Sequence, residues 1–417
     1  MNNFSYLFLA FLAAGAALQW YLGRRHIRHI QAHRDTVPTA FSDKISLPEH
    51  QKAADYCSAK TAVGVFGGII ATLLLLLWTY GGLLELVDQT IRASGLSGLW
   101  SGTVFMLAVI VIAAILQLPL DLYHTFGLEQ RFGFNKMTPG LFITDLLKNT
   151  ALLLLIAPPL LLLVLWLMTN AGQYWWVYVW LTWLGFSLFM MWAYPAFIAP
   201  LFNKFRPLQD TDLKTRIENL LTRNGFASNG IFVMDGSARS THGNAYFAGL
   251  GANKRIVFFD TLIDDLSHEE IEAVLAHELG HFKCNHIKKR IVVLGVLFLL
   301  GFAILGYLAG QDWFYHGLGV STASSYMALT LFFMVAPVFS FALQPIFSGI
   351  SRQHEFEADD FAAQQAQTAM LIQALVKLYR ENANTLTPDP LYSAYYDSHP
   401  PAPVRIAHLN ATQTAPG

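Results

Sequence analysis

Seven stretches of the sequence, residues 5–23, 62–86, 98–120, 149–168, 174–199, 291–309 and 325–349, run on without a single Lys or Arg. A helix of about 20 mostly apolar residues crosses the hydrocarbon core of a bilayer, so each stretch is long enough to span one. The rest of the chain agrees. Only 13 % of its 417 residues are charged, where a soluble protein has about 25 %, and its mean hydropathy is +0.40. So few charges cannot clothe two or three soluble domains, and lipid is the expected solvent. Pro158 and Pro159, in the middle of the fourth stretch, predict a kink there. "QYWWVYVW" at 173–180 fits an aromatic belt at the membrane surface.

Charge sets the orientation. With the N-terminus outside, segments 24–61, 121–148, 200–290 and 350–417 lie inside and hold 26 of the 27 Lys and Arg, leaving Arg92 outside. Discounting the long 200–290 segment, the split is still 14 to 1. The first stretch is not a secretory signal, because "MNNFS" before it is uncharged and "RRHIRHIQAHR" follows it. Cys57 and Cys284 both fall on the reducing side, as free thiols. A net charge of -1 gives no reason to expect a nucleic-acid partner. The organisation expected is spans one to five within 1–199, an inner polar segment at 200–290, spans six and seven within 291–349, and an inner C-terminal segment at 350–417.

The chemistry is legible in the two inner segments. "VLAHELGHFKCNH" (274–286) follows a capping box, with Ser267 as N-cap and Glu270 three residues on, and predicts a helix over about 268–288. His277 and His281 are i, i+4 and share one face, so both imidazoles can reach one Zn²⁺. Glu278 lies 100° round, placed to take a proton from a metal-bound water as general base. Gly280, costly in a helix interior by about 1 kcal/mol, suggests that something packs close to it. A metzincin would need Gly and His where Cys284 and Ile287 stand, so the third ligand comes from elsewhere. His286 is read as an interfacial histidine, off the metal face. The best third ligand is Glu355 in "SRQHEFEADDFAAQQ" (351–365), a helix N-capped by Ser351. Asp359, one turn on, would accept the outer N–H of a ligating histidine or donate a proton, while Glu357 and Asp360 read as a solvated face. Three short strands are expected at 230–236, 244–251 and 255–263, and an edge at Asn244, Ala245 and Tyr246 could hold a peptide by β-addition.

These motifs, with "TFGLEQRFGFNKMT" (125–138), "DGSARSTHGNAYFAG" (235–249) and "SHPPAPVRIAHL" (398–409), resemble the type I CAAX prenyl proteases, a family of integral-membrane zinc metallopeptidases of gluzincin type. The resemblance implies an all-α multi-pass membrane protein whose seven helices enclose a chamber. A zinc metalloprotease domain with a small β-sheet would sit on the inner side. It implies one zinc ion per chain held by His277, His281 and Glu355, with Glu278 as base. The family's substrate is a C-terminally prenylated CAAX protein, trimmed of its last three residues. His399 and Arg405 are placed to meet the oxyanion formed when a carbonyl is attacked. The substrate here is a peptide or protein at the bilayer, with or without a prenyl group.

Three other readings compete. A membrane quality-control protease of the heat-shock type resembles this chain at the metal motifs but carries fewer spans before H-E-x-x-H, and five precede it here. A transporter or receptor with a structural zinc would place ionisable residues inside its spans, where only Glu85 is found, at an edge. A non-catalytic binder of prenylated partners would have no use for an intact Glu278. Short loops and the lack of an ER-retrieval tail point to a bacterial plasma membrane with the site on its cytoplasmic side, the ER being the alternative.

Overall fold

The computed structural model describes residues 1–248 and 255–414. Among the described residues, seven helices are long and apolar enough to cross a membrane. Five come first: α1 (Asn3–Ala32), α2 (Leu47–Trp78), α3 (Gly98–Leu122), α4 (Pro139–Asn170) and α5 (Trp175–Ala193). Large apolar side chains face outward along them, among them Leu73, Ile115 and Leu155. This would be unstable in water and is what a lipid-facing surface requires.

The second span differs from expectation. It begins at Leu47 and stops at Trp78, not at residue 86. Gly82, at φ 75°, turns the chain into a separate amphipathic helix, Leu83–Ala93, that buries Leu84, Val87 and Ile91. Glu85 rides on this helix and accepts from Ser321 Oγ at 2.6 Å, so it lies outside the membrane-crossing helix. The kink expected at Pro158 and Pro159 does not interrupt α4, which runs as one helix through both. After α3 the chain continues as a π-helical turn, Tyr123–Glu129, on which the "TFGLEQ" motif falls. Glu129 there accepts from Tyr56 of α2 at 2.7 Å and faces His242 at 3.6 Å, so two of the quoted motifs lock together.

The inner domain holds a four-stranded sheet in the order β1-β2-β4-β3. Its strands are β1 (Phe205–Pro207), β2 (Ile231–Met234), β3 (Ala245–Ala248) and β4 (Arg255–Phe259). β1 was not expected, and residues 249–251 of the expected second strand lie outside the described residues. β2 and β4 run parallel, while β1 and β3 are antiparallel edges. Against the sheet pack α6 (Thr211–Arg223) and α7 (His268–Lys283). Leu213, Ile217 and Leu220 of α6 recur at helical spacing and meet Ile256 and Phe258 of β4 and Ile271, Leu275 and Leu279 of α7. Arg239 ties the domain to the membrane by a two-pronged bond to Asp145 on α4, at 2.9 and 3.1 Å.

The sixth and seventh spans are α8 (His286–Leu308) and α9 (Ser325–Ser340). A single 3-10 turn joins α9 to α10 (Gln344–Gln365), so the second polar helix is a prolongation of the seventh span. Ser351 is therefore inside a helix and caps nothing, contrary to expectation. The chain closes with α11 (Thr368–Glu381) and α12 (Ala402–Thr414). α10 buries Ser348, Glu355, Ala358, Asp359 and Ala362, a stripe that lies along α7.

At the centre of that contact a Cβ on Gly280 would stand 2.9 Å from Ala358 Cα and 3.1 Å from its carbonyl oxygen. Replacing Gly by Ala inside a helix usually stabilises by about 1 kcal/mol. Here Gly280→Ala should do the opposite, by prising α7 from α10. A lower Tm and reduced metal content by elemental analysis are expected. A raised Tm with full metal content would show that the close approach is not needed.

Candidate metal and catalytic site

The capping box forms as the sequence predicts. Glu270 N–H donates to Ser267 Oγ at 3.3 Å, and Ser267 N–H donates to Glu270 Oε2 at 2.7 Å. The continuous helix to residue 288 does not form. α7 ends at Lys283, Asn285 takes the left-handed conformation at φ 58°, and α8 begins at His286. Asn tolerates that region better than most residues, which is why the break falls there.

His277, His281 and Glu355 come together. His277 Nε2 lies 3.3 Å from Glu355 Oε2, and His281 Nε2 lies 3.4 Å from Glu355 Oε1. Two atoms each about 2.0–2.1 Å from one tetrahedral ion stand about 3.3–3.4 Å apart, so the spacing is that of ligands around a shared centre. Glu355 is buried, and its Oε2 has no hydrogen-bond partner, a costly state for a lone carboxylate oxygen and a natural one for a metal ligand. The three side chains fit a divalent cation with a His₂Glu donor set.

Behind His277 the packing is dry. Its Nδ1 lies 2.8 Å from Asp359 Oδ1, and Asp359 is fully buried. Arg405 donates from Nε to Asp359 Oδ2 at 2.8 Å and from Nη2 to Oδ1. Burial works against the charge on Arg405, but Asp359 beside it more than restores it and its pKa is raised. Arg405 was expected at the oxyanion. Most of its guanidinium is instead committed to Asp359, and Nη1 faces Glu355 Oε2 at 3.6 Å. His399, by contrast, is 65 % exposed at its side chain, with Nε2 3.3 Å from Glu355 Oε1. Glu278 is half-buried and has no hydrogen bond or ion pair among the described residues, leaving both oxygens available.

Sequence reasoning missed His286 and Glu357. The left-handed turn swings His286 back over the site, buried, with Nδ1 2.9 Å from His281 Nδ1 and Nε2 2.9 Å from Glu357 Oε2. The misreading came from assuming one unbroken helix; the "CN" pair at its end was the available signal. Glu357, taken for a solvated acid, is half-exposed but bonded. Asp360, read likewise, accepts from His408 Nε2 at 2.7 Å. When a metal ion takes the lone pair of His281 Nε2, the proton of that ring would stand on Nδ1 and be donated to His286, whose own proton would then stand on Nε2 toward Glu357.

Asn244, Ala245 and Tyr246 lie at the start of β3. Phe259 N–H donates to Asn244 O at 2.9 Å, so by antiparallel alternation Ala245 and Phe247 turn their N–H and C=O away from β4, toward the free edge. Asn244 Oδ1 caps the Ala245 N–H at 2.8 Å. Between the spans lie two cavities of about 850 and 860 Å³. They adjoin, sharing Gln19, Gly68, Ala71, Gln117 and Tyr396 in their walls, and the inner end of the first reaches His399. Around that end stand His26, Lys60, Asp121 and His124, just past the apolar limits of their spans.

Residues 26–204 match the family described as CAAX prenyl protease N-terminal, five membrane helices, and residues 207–413 match Peptidase family M48. The chain is 41 % identical over 311 residues to a CAAX prenyl protease 1 homolog of Arabidopsis thaliana, covering 73 % of this chain and 72 % of that one. With the CAAX prenyl protease 1 of Saccharomyces cerevisiae it shares 33 % identity over 428 residues, covering 96 % and 94 %. The crystal structure of S. mikatae Ste24p superposes with a TM-score of 0.91 at 33 % identity, over 98 % of this chain and 99 % of that one. Seven spans, an inner domain built on H-E-x-x-H and matches along nearly the whole chain place this protein in peptidase family M48, as a multi-pass membrane metallopeptidase of the CAAX prenyl protease type.

Proposed function

We propose that the protein is a zinc endopeptidase that cuts near the C-terminus of CAAX-type, prenylated substrates at the inner face of a membrane. The observation that carries this is the convergence of His277, His281 and Glu355 at 3.3–3.4 Å, next to His399, which lines the cavity between the spans and lies 3.3 Å from Glu355. His₂Glu is a catalytic zinc donor set, and it leaves a fourth position for water. When bound, zinc would supply Lewis acidity to the scissile carbonyl and lower the pKa of that water.

The chain's own residues do the rest. A carboxylate oxygen of Glu278 accepts the water's proton and passes it to the leaving amine. His399, exposed above Glu355, donates an N–H to the oxyanion. Asp359 accepts the Nδ1–H of His277 and fixes its orientation, and Arg405 keeps Asp359 ionised and in place. The peptide lies along β3, pairing with the backbone of Ala245 and Phe247, with Asn244 and Tyr246 flanking it. The deeper cavity, walled by Phe11, Leu75, Trp78, Val338 and Phe341, offers an apolar volume for a prenyl chain.

The site faces the cytoplasm on the strength of the Lys and Arg distribution. The short loops favour a bacterial plasma membrane, with the ER as the alternative.

Purified protein should cleave a farnesylated CAAX peptide with a higher kcat/KM than the unfarnesylated one, and Glu278→Gln should reduce kcat by about 10²–10⁴. Equal turnover of the two peptides would remove the prenyl chain from the reading, and an active Gln variant would remove Glu278 as base. Asp359→Asn keeps the shape of the side chain but loses the charge beside His277 and Arg405. Metal affinity, followed by dialysis against a zinc chelator, should fall by about 10–100-fold. Unchanged retention would separate Asp359 from the metal.

A further inference from the structure

Cys284, His286 and Glu357 play no part in the chemistry above, yet each presents a ligand atom within 4.8 Å of the others. The arrangement follows from the break between α7 and α8. Cys284 is the C-cap of α7, with its N–H donated to Gly280 O at 2.9 Å, and the left-handed Asn285 brings the side chains before and after it to one side. Glu357 enters from α10, 49 % exposed at its side chain. His354 stacks on His286 at 4.0 Å between ring centroids, holding the imidazole plane.

We propose that Cys284, His286 and Glu357 form a second divalent-cation site, for a borderline-soft metal of the zinc class, whose occupation opposes metal binding at the catalytic ligands. This rests on His281 being one of those ligands. An ion bound by sulfur at about 2.3 Å and by nitrogen at about 2.0–2.1 Å holds those atoms about 3.6 Å apart. The remaining distance is short enough for rotation of the exposed Glu357 to close. Lys289 Nζ now stands 3.7 Å from Glu357 Oε2, half-exposed, and must give way to the cation. Thiolate, imidazole and carboxylate together select zinc-like ions over Ca²⁺ or Mg²⁺.

The opposition arises in the hydrogen-bond chain. A cation on His286 Nε2 displaces the proton there to Nδ1, and the Cys284 thiol releases its own proton to solvent. His286 Nδ1–H then faces His281 Nδ1–H across 2.9 Å, where one proton was shared before. Two donors cannot occupy that contact. Either His281 turns and leaves the catalytic set, or the second ion leaves. A protein with one ion is active, and a protein in excess metal is inhibited.

Cobalt(II) titration of the metal-free protein reads both sites. The His₂Glu set contains no sulfur, so the first equivalent should bind without thiolate-to-metal charge transfer, and the second should bring that absorption in. Cys284→Ser should abolish the charge-transfer band, keep the first equivalent and the basal cleavage rate, and require about tenfold or more excess Zn²⁺ for the same inhibition. Cys57, whose Sγ lies 3.9 Å from His26 Nε2, is the control, and Cys57→Ser should retain the band. Absence of a band at two equivalents, or its loss in Cys57→Ser alone, would overturn the proposal. A band already present at the first equivalent would instead overturn the assignment of the tighter site to His277, His281 and Glu355.

Discussion

The pairing of Asp359 with Arg405 is what the rest of the inner structure depends on. Both are almost wholly withdrawn from solvent, and His277 completes the cluster. Removing one partner of such a buried pair typically costs about 3–5 kcal/mol, because the other charge is left without compensation. The three residues come from α7, α10 and α12, which are distant in sequence. A local break in this cluster would therefore free the C-terminal helix, tilt the metal-facing imidazole and loosen α10 together. Gly280 lets it form, since any larger residue there would hold the two ligand-bearing helices apart.

α10 transmits the same constraint to the membrane. It is joined to the seventh span by a single turn, so Glu355 sits on the inner prolongation of a helix anchored in lipid. Arg239 and Asp145 clamp the opposite side of the inner domain to the fourth span. The side chains of the candidate site are thus fixed relative to the bilayer as firmly as to one another. A hydrolase beside a membrane must admit both water and a greasy chain. Two adjoining cavities lie between the spans, with charged and polar groups at the inner end and aromatic and aliphatic walls deeper in.

What could be seen in the sequence was whatever depends on near neighbours. The apolar runs, the i, i+4 pair His277 and His281, and the capping box at Ser267 are all decided within one or two helical turns. Glu355 and Asp359 could be picked out because they repeat the same spacing. The misread features depend on geometry that no short window contains. β1 is three residues, Phe-Arg-Pro, with no alternation to betray it, and it exists because β2 offers it an edge. The end of the second span was missed because Leu83–Ala93 is as apolar as the span itself on one face; only the turn at Gly82 separates them. The start of α10 was misplaced because Ser351 has the chemistry of a cap but sits where a helix already runs. The pairing of Arg405 with Asp359 was not legible because an arginine in a tail motif says nothing about which carboxylate it will find.

The break at Asn285 leaves the two imidazoles of the metal motif in unlike surroundings. His277 is backed by a buried carboxylate that is itself gripped by a guanidinium, so its orientation has little freedom. His281 is half-buried and backed by another histidine, which leads in turn to a half-exposed glutamate. A charged, desolvated partner holds an imidazole far more firmly than a neutral one whose chain ends at solvent. His277 is therefore the fixed member of the pair, and His281 is the member that its surroundings can move. An uninterrupted helix would have carried His286 away from this face and left His281 with water behind it. The turn that the sequence reading overlooked gives the site its adjustable side.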